Sequence, residues 1–387
     1  MRSWLPKLCL ALGAATMGLA PACAADLIVS AQDGKFVRVE GRATFPQPAA
    51  ADSLVVLDAT RFPPVVKATV EGGLEHTVQG PPQAVAVTPD GKLAIVAAPT
   101  RYDQGAKKEL FDTFLQVVDL EASPPAMVAK VELGAHPNGL TINRDGTLLL
   151  AAAHDGTVKV VTIEGKSLKL AGQVKVGEKR LSGISFTHDG KAAIVALRDE
   201  NGAAVLAVDG ANVTLTPERI ATGVNPYAID ISSDGRWAVI GNTGVARTVD
   251  DADVVTLVDV SRRPFRAVQQ ISVAATPEGV AISPDGRWIA VSSMGGSNLL
   301  ATDPGRHKVG KVALFAIQDG AATKVSELPG GEAAQGVVFT QDSRTVIVQF
   351  DVEKELALYA VRDGKLVDTG ERIKLAAGPV SIRSMPR

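Results

Sequence analysis

The sequence predicts an all-β, seven-bladed β-propeller with four antiparallel strands per blade and a ring closed by pairing of the N- and C-terminal strands. Three observations predict it. One hairpin is written six times along the chain, the copies recur at a spacing near 50 residues, and the two chain ends carry the halves of a seventh copy.

The six hairpins are VTPDGKLAIV (87–96), INRDGTLLLA (142–151), FTHDGKAAIV (186–195), ISSDGRWAVI (231–240), ISPDGRWIAV (282–291) and FTQDSRTVIV (339–348). Asp-Gly between two short apolar runs marks a tight turn, because glycine takes the positive φ that such a turn needs. Aligned on Asp90, Asp145, Asp189, Asp234, Asp285 and Asp342, the copies are 55, 44, 45, 51 and 57 residues apart. No long stretch shows helical periodicity, so the units read as short strands joined by turns.

The units agree position by position. Six residues before each turn Asp lies a small residue: Ala84, Gly139, Gly183, Ala228, Gly279 and Gly336. A small side chain at a constant place in the first strand suits strands that crowd around a central axis, where a larger one would meet the next blade. Five before lies a branched apolar residue, and eight before lies proline in four units. Each hairpin is followed by a third strand, as in TVKVVTI (157–163) or DVVTLVDV (253–260), and a fourth, as in AMVAKVEL (126–133). Four antiparallel strands per unit make a propeller blade. Trp237 and Trp288 occupy equivalent hairpin positions and read as blade-packing residues.

The seventh blade is divided between the termini. Gly378-Pro379-Val380-Ser381-Ile382 repeats the order of a first strand, DLIVSAQDG (26–34) reads as its second and SLVVLDA (53–59) as its third. Such closure leaves no open sheet edge. Six blades would leave residues 26–75 without a place, and solenoid coils are shorter than 50 residues.

Residues 1–24 read as a secretory signal peptide. Arg2 and Lys7 form the basic start, Leu8 to Leu19 the apolar run, and Ala22-Cys23-Ala24 the cleavage site. A lipoprotein acylated at Cys23 is the alternative. No apolar run is long enough to span a bilayer. Removing 24 residues from 387 leaves 363, all in one propeller domain (25–387), with localisation expected in the periplasm or outside the cell. Both cysteines, Cys9 and Cys23, lie in the leader, so no disulfide is expected, and a chain of this size buries a core without one. Without Arg2 and Lys7 the remaining 38 basic and 42 acidic residues give a formal −4, which argues against nucleic acid and anionic membranes as partners. A monomer is expected.

The Pro-Asp-Gly hairpins, the Gly-x-x-Pro entries GAHPNGL (134–140) and GVNPYAI (223–229), and the Val-x-Leu-Val-Asp third strands resemble the YVTN-repeat, lactonase-like seven-bladed propellers of secreted bacterial proteins. The resemblance covers nearly all of residues 25–387. The name-giving tetrapeptide is absent, with VVTLVD and AVIGNT in its place. The resemblance implies the fold. For activity it implies only a range, from phosphogluconolactonase-like enzymes to periplasmic and surface-layer propellers and nucleic-acid binders.

Candidate sites follow from the geometry of a blade. The entry to the first strand and the loop between second and third strands emerge on one face, and the Asp-Gly turns on the other. Long insertions at 98–113, 242–252 and 293–310 all fall between second and third strands. Loops of more than about 12 residues in a compact fold are commonly functional or disordered, so the site is placed on their face. Residues nine before and nine after each turn Asp pair across that mouth: Pro81/Pro99, His136/His154, Arg180/Arg198, Asn225/Thr243, Thr276/Met294 and Ala333/Asp351.

His136, Asn138, His154, Arg180, Arg198, Asn225 and Arg247 are therefore candidate ligand-binding residues, since Arg forks suit carboxylate or phosphate. The competing reading is a solvated rim neutralised by Asp155, Asp199 and Glu200. Asp230, four before its turn Asp, is a carboxylate near the axis and reads as a ligand contact or as a brace between blades. Two histidines without a third ligand make no metal site, and there is no nucleophile motif, phosphate loop or dinucleotide fingerprint. No cofactor is expected. The expectation is a scaffold that binds a small anionic ligand or a protein partner rather than an enzyme, with a lactonase-type hydrolase or isomerase as the alternative.

Overall fold

The computed structural model describes Met1 and residues 26–386, apart from 104, 107 and 246–251. The proposed leader (Met1 apart) and Arg247 lie outside the described residues. The described chain forms seven four-stranded antiparallel sheets and two extra two-stranded hairpins, with no α-helix and one short 3-10 turn, Arg198–Glu200. No helix among the described residues is long and apolar enough to cross a membrane.

The first sheet joins the chain ends. Its inner strand is Gly378–Ser384, followed outward by Leu27–Asp33, Ser53–Asp58 and Val65–Glu71. Ile28 pairs with Ser384 and Ser30 with Ile382 across the junction. Blades 2 to 7 follow in chain order, with inner strands Val85–Val87, Pro137–Ile142, Ile184–Phe186, Pro226–Ile231, Pro277–Ile282 and Ala334–Phe339.

The repeated Asp is a turn residue in the physical sense. Asp90 accepts hydrogen bonds from Thr88 Oγ1 (2.6 Å) and the Lys92 amide (3.1 Å), the Gly91 amide donates to Thr88 O, and Gly91 sits at φ +69°. Asp189, Asp234, Asp285 and Asp342 repeat the hydroxyl contact. Each apolar run on either side of the turn then faces a neighbouring blade. Ile95 and Leu115 of blade 2 pack with Leu140, Leu149 and Val161 of blade 3, and Leu150 and Val160 of blade 3 with Ile184, Val195 and Leu206 of blade 4.

Small residues near the axis are explained by close approach. A Cβ on Gly183 would lie 2.3 Å from Tyr227 O, and one on Gly139 2.5 Å from Ser182 O. Trp237 and Trp288 each lie against the outer hairpin of the following blade, at Gly320 and Gly364 respectively.

A fourth insertion joins the three read from the sequence. Between the second and third strands of the closing blade, residues 34–52 carry a hairpin, Val37–Val39 paired with Arg42–Thr44. Its base is anchored by buried charge. Lys35 Nζ lies 2.6 Å from Asp52 and 3.3 Å from Asp33, and Asp52 also accepts the amides of Gly34 and His76. Burial pushes Asp33 up to about 6, with Lys35 opposing.

Candidate functional site

The channel along the axis is divided by Gln83. Its side chain crosses from blade 2 to blade 5, donating to Ile229 O (2.7 Å) and accepting the Ile229 amide (2.9 Å). On one side of it is a cavity lined by residues from the Asp-Gly-turn face, and on the other a cavity of about 210 Å³ at the mouth where first strands begin.

The mouth cavity gathers Arg38, Asn138, Arg180, Arg198, Tyr227, Glu278, Gln335 and Asp351. Four of these, Asn138, Tyr227, Glu278 and Gln335, stand seven residues before their turn Asp, at the entry to four different inner strands. Arg198 lies over the Tyr227 ring at 4.4 Å. Arg180 Nη2 is 3.3 Å from Asp199 Oδ1, and Arg198 Nε is 3.9 Å from the same oxygen, so one carboxylate is shared between two guanidiniums. Asn138 donates to Leu181 O (2.9 Å), while its Oδ1 is buried without a hydrogen bond, as are Arg180 Nε, Arg198 Nε and both Asp351 oxygens. Buried polar atoms are rarely left unpaired in a folded protein. Their convergence on one cavity is therefore its principal chemical signal.

Electrostatics separate the walls. Burial pushes Glu278 up to about 7, against the pull of Arg198 and Arg38. Burial also holds Asp351 well above the carboxylate range, reinforced by Asp33 and Glu353. The Tyr227 hydroxyl is raised by burial. The cavity thus sets three arginines, two of them sharing Asp199, against carboxyls whose ionisation burial disfavours, an arrangement open to an anion.

The residues singled out from the sequence fall into distinct environments. Asn138, Arg180 and Arg198 line the mouth cavity. His136 and His154 pair as the alignment requires, with the His154 amide donating to His136 O at 3.0 Å. Their rings meet at a tilt of 55°, centroids 4.5 Å apart, beside Phe111, and burial lowers both, His154 to about 3. They are neutral neighbours of the cavity rather than part of its lining. Asn225, at φ +52°, donates to Gly244 O and its carbonyl accepts the Thr243 amide, which fits a backbone role at the blade entry. Asp230 faces the other cavity, accepts the Ile282 amide of blade 6 (2.8 Å) and lies 3.5 Å from Arg383 of the closing blade. That arrangement ties three blades together across the axis. No group of three or more His, Cys, Asp or Glu side chains among the described residues could hold a metal ion.

Sequence reasoning missed Arg38, Tyr227, Glu278 and Gln335 as site residues. The signal for the last three was present: the column seven before the turn Asp reads Gln83, Asn138, Ser182, Tyr227, Glu278 and Gln335, polar in every unit beside an apolar neighbour.

Comparison with known proteins is consistent with this architecture. The WD domain, G-beta repeat, matches residues 129–161, from the fourth strand of blade 2 through the third of blade 3. No curated protein matches the chain. Among solved structures, a 6-phosphogluconolactonase candidate from Bacteroides fragilis superposes with a TM-score of 0.68 at 15% identity, covering 95% of this chain and 99% of its own. The periplasmic gluconolactonase of Pseudomonas aeruginosa gives 0.64 at 17%, covering 93% and 99%. The hydrazine synthase of Kuenenia stuttgartiensis gives 0.61 at 20%, covering 80% and 91%. At such identities the likeness speaks for fold alone. By its sheets, its closure and these likenesses, the chain is a seven-bladed β-propeller.

Proposed function

We propose that the chain is an exported, periplasmic propeller that binds a small carboxylate- or phosphate-bearing molecule in its mouth cavity, with Arg180 and Arg198 as the anchoring cations. The observation that carries this reading is the pair of buried guanidinium donors without a hydrogen bond, Arg180 Nε and Arg198 Nε, around one cavity, with the Asn138 Oδ1 acceptor open to a ligand hydroxyl. A guanidinium can hold a carboxylate or phosphate through two parallel hydrogen bonds, and such charge-assisted bonds are about twice as strong as neutral ones. Export is supported by the leader-like residues 1–24 and by the periplasmic gluconolactonase among the similar structures.

A second reading, lactone hydrolysis, is favoured by Glu278. A carboxyl poised near 7 beside two arginines has the pKa of a general base or acid at neutral pH. In that reading ionised Glu278 takes a proton from the attacking water. The guanidiniums stabilise the oxyanion formed on the lactone carbonyl, and the ring C–O bond breaks as the proton passes to the leaving oxygen. Lactonase-named propellers of this fold support it.

Titration calorimetry with gluconate and 6-phosphogluconate tests binding, and a parallel assay on their lactones tests turnover. Arg180→Ala and Arg198→Ala should each weaken binding about 10- to 100-fold, as loss of charged hydrogen bonds worth about 1.5–3 kcal/mol implies. Full affinity in both variants would remove the binding site from this cavity. Turnover that survives Glu278→Gln would end the hydrolytic reading while leaving binding intact.

A further inference from the structure

We propose that the hairpin Val37–Val39/Arg42–Thr44 is a movable cover over the mouth cavity, and that Arg38 on it selects ligands carrying a second negative group. The proposal rests on the reading of that cavity as an anion site. Four observations support it.

The hairpin is fixed at its base and lightly held at its tip. Lys35, Asp33 and Asp52 form the buried anchor, and the Ala50 amide donates to Gly34 O (3.0 Å), closing the base like a neck. Beyond it, Val39, Glu40 and Arg42–Thr44 are exposed. Segments with few buried apolar contacts open at low cost, and mobile covers are drawn from them.

The hairpin touches the mouth on both sides. Toward blade 2, Phe45 stacks on Tyr102 of the hairpin Thr100–Asp103/Lys108–Phe111, with ring centroids 4.1 Å apart and planes inclined by 22°. Toward blades 6 and 7, the Glu40 amide donates to Glu332 Oε1 (2.8 Å), and Gly41, at φ +74°, lies so close to the Leu299 backbone that a Cβ would sit 2.4 Å from it. Glu332 is itself held by Arg306 (2.8 Å), which also donates to the carbonyls of Ser297 and Leu299. One aromatic stack, one hydrogen bond and the packing of Gly41 on Leu299 against a preformed seat are contacts that can be broken and remade.

Arg38 is turned inward. It lines the cavity with Arg180 and Arg198, forms no salt bridge within 4.0 Å among the described residues, and makes one long hydrogen bond, to Gly41 O at 3.5 Å. Its donors remain available to a ligand.

Finally, the charges exceed what one carboxylate needs. Arg180 and Arg198, at the mouth end of blade 4, already share Asp199 and keep buried Nε donors for a single anionic group. Arg38 approaches from the cover and supplies a third cation for a second group, whether phosphate or carboxylate.

The test compares gluconate, with one charge, against 6-phosphogluconate and glucarate, which add a phosphate and a second carboxylate. The expected result is that Arg38→Ala weakens the two doubly functional probes at least 10-fold and gluconate less than 2-fold. A larger loss for 6-phosphogluconate than for glucarate would identify phosphate as the preferred second group, and the reverse would identify carboxylate. In the unaltered protein, amide hydrogen exchange over residues 37–44 should slow at least 5-fold when 6-phosphogluconate is bound. Equal losses for all three probes, or no loss, would overturn the selective role of Arg38. Unchanged exchange in a protein that binds the probe would overturn the cover and leave the cavity reading standing. Failure of the unaltered protein to bind any of the three would overturn both.

Discussion

Removal of residues 378–387 should leave no soluble, folded protein. The strand Gly378–Ser384 is the inner strand of the closing blade, paired with Leu27–Asp33 along its length. Its loss strips away buried Val380 and Ile382, worth about 2 kcal/mol each on burial alone. It also deletes Arg383, leaving Asp230 without its ion-pair partner across the axis. The edge of Leu27–Asp33 that it covered is then left unpaired. The combined loss, well above about 5 kcal/mol, is comparable to the whole stability of a typical domain. Expression of the shortened chain should give insoluble protein, or soluble protein without a cooperative thermal transition. A cooperative melt within a few degrees of the full chain would show that closure contributes little.

Glu278→Gln should make the protein more stable in alkaline buffer and leave it nearly unchanged in acid. Burial raises the Glu278 carboxyl from 4.5 to about 7 in the folded chain. Between those pH values the unfolded chain loses the proton and the native chain keeps it, so native stability falls as pH rises. Each unit in that window costs about 1.4 kcal/mol, giving about 3 kcal/mol by pH 8. The glutamine amide keeps the shape without the titration. Urea midpoints at pH 5 and pH 8 should therefore diverge between the two proteins only at pH 8, with the variant higher. Asp351, raised in the same direction, leaves a residual slope in both. Anion affinity of the native protein should fall over the same rise in pH, because ionised Glu278 adds negative charge beside Arg198 and Arg38. Parallel pH profiles for the two proteins would show that Glu278 is ionised in the native state at neutrality.

The fold was legible because its determinants are local and repeated. Asp90 and its equivalents set the turns, the small residues at 139, 183, 279 and 336 mark the close approach at the axis, and Ile382 repeats the branched residue of every first strand. The site was legible in part. Arg180 and Arg198 follow from counting nine residues either side of Asp189, and the structure brings both to the cavity. Asp230 reads as polar near the axis, but it stands near the end of its inner strand, Pro226–Ile231, so it serves the cavity on the Asp-Gly-turn side and not the mouth. His136 and His154 pair as counted, yet Phe111 from a separate hairpin covers them. Arg38 could not be placed from the repeats. It sits in an insertion outside the repeated strands, and the hairpin's position depends on contacts with Tyr102, Leu299 and Glu332, far away in sequence.

The central claim is that the mouth cavity holds a small anion between Arg180 and Arg198. A crystal structure of the full protein grown with 6-phosphogluconate tests it most directly. The account predicts ligand density bounded by both guanidiniums and Asn138 Oδ1, with Tyr227 and Glu278 in contact. Density elsewhere, or a cavity filled by ordered water alone at saturating ligand, would contradict it.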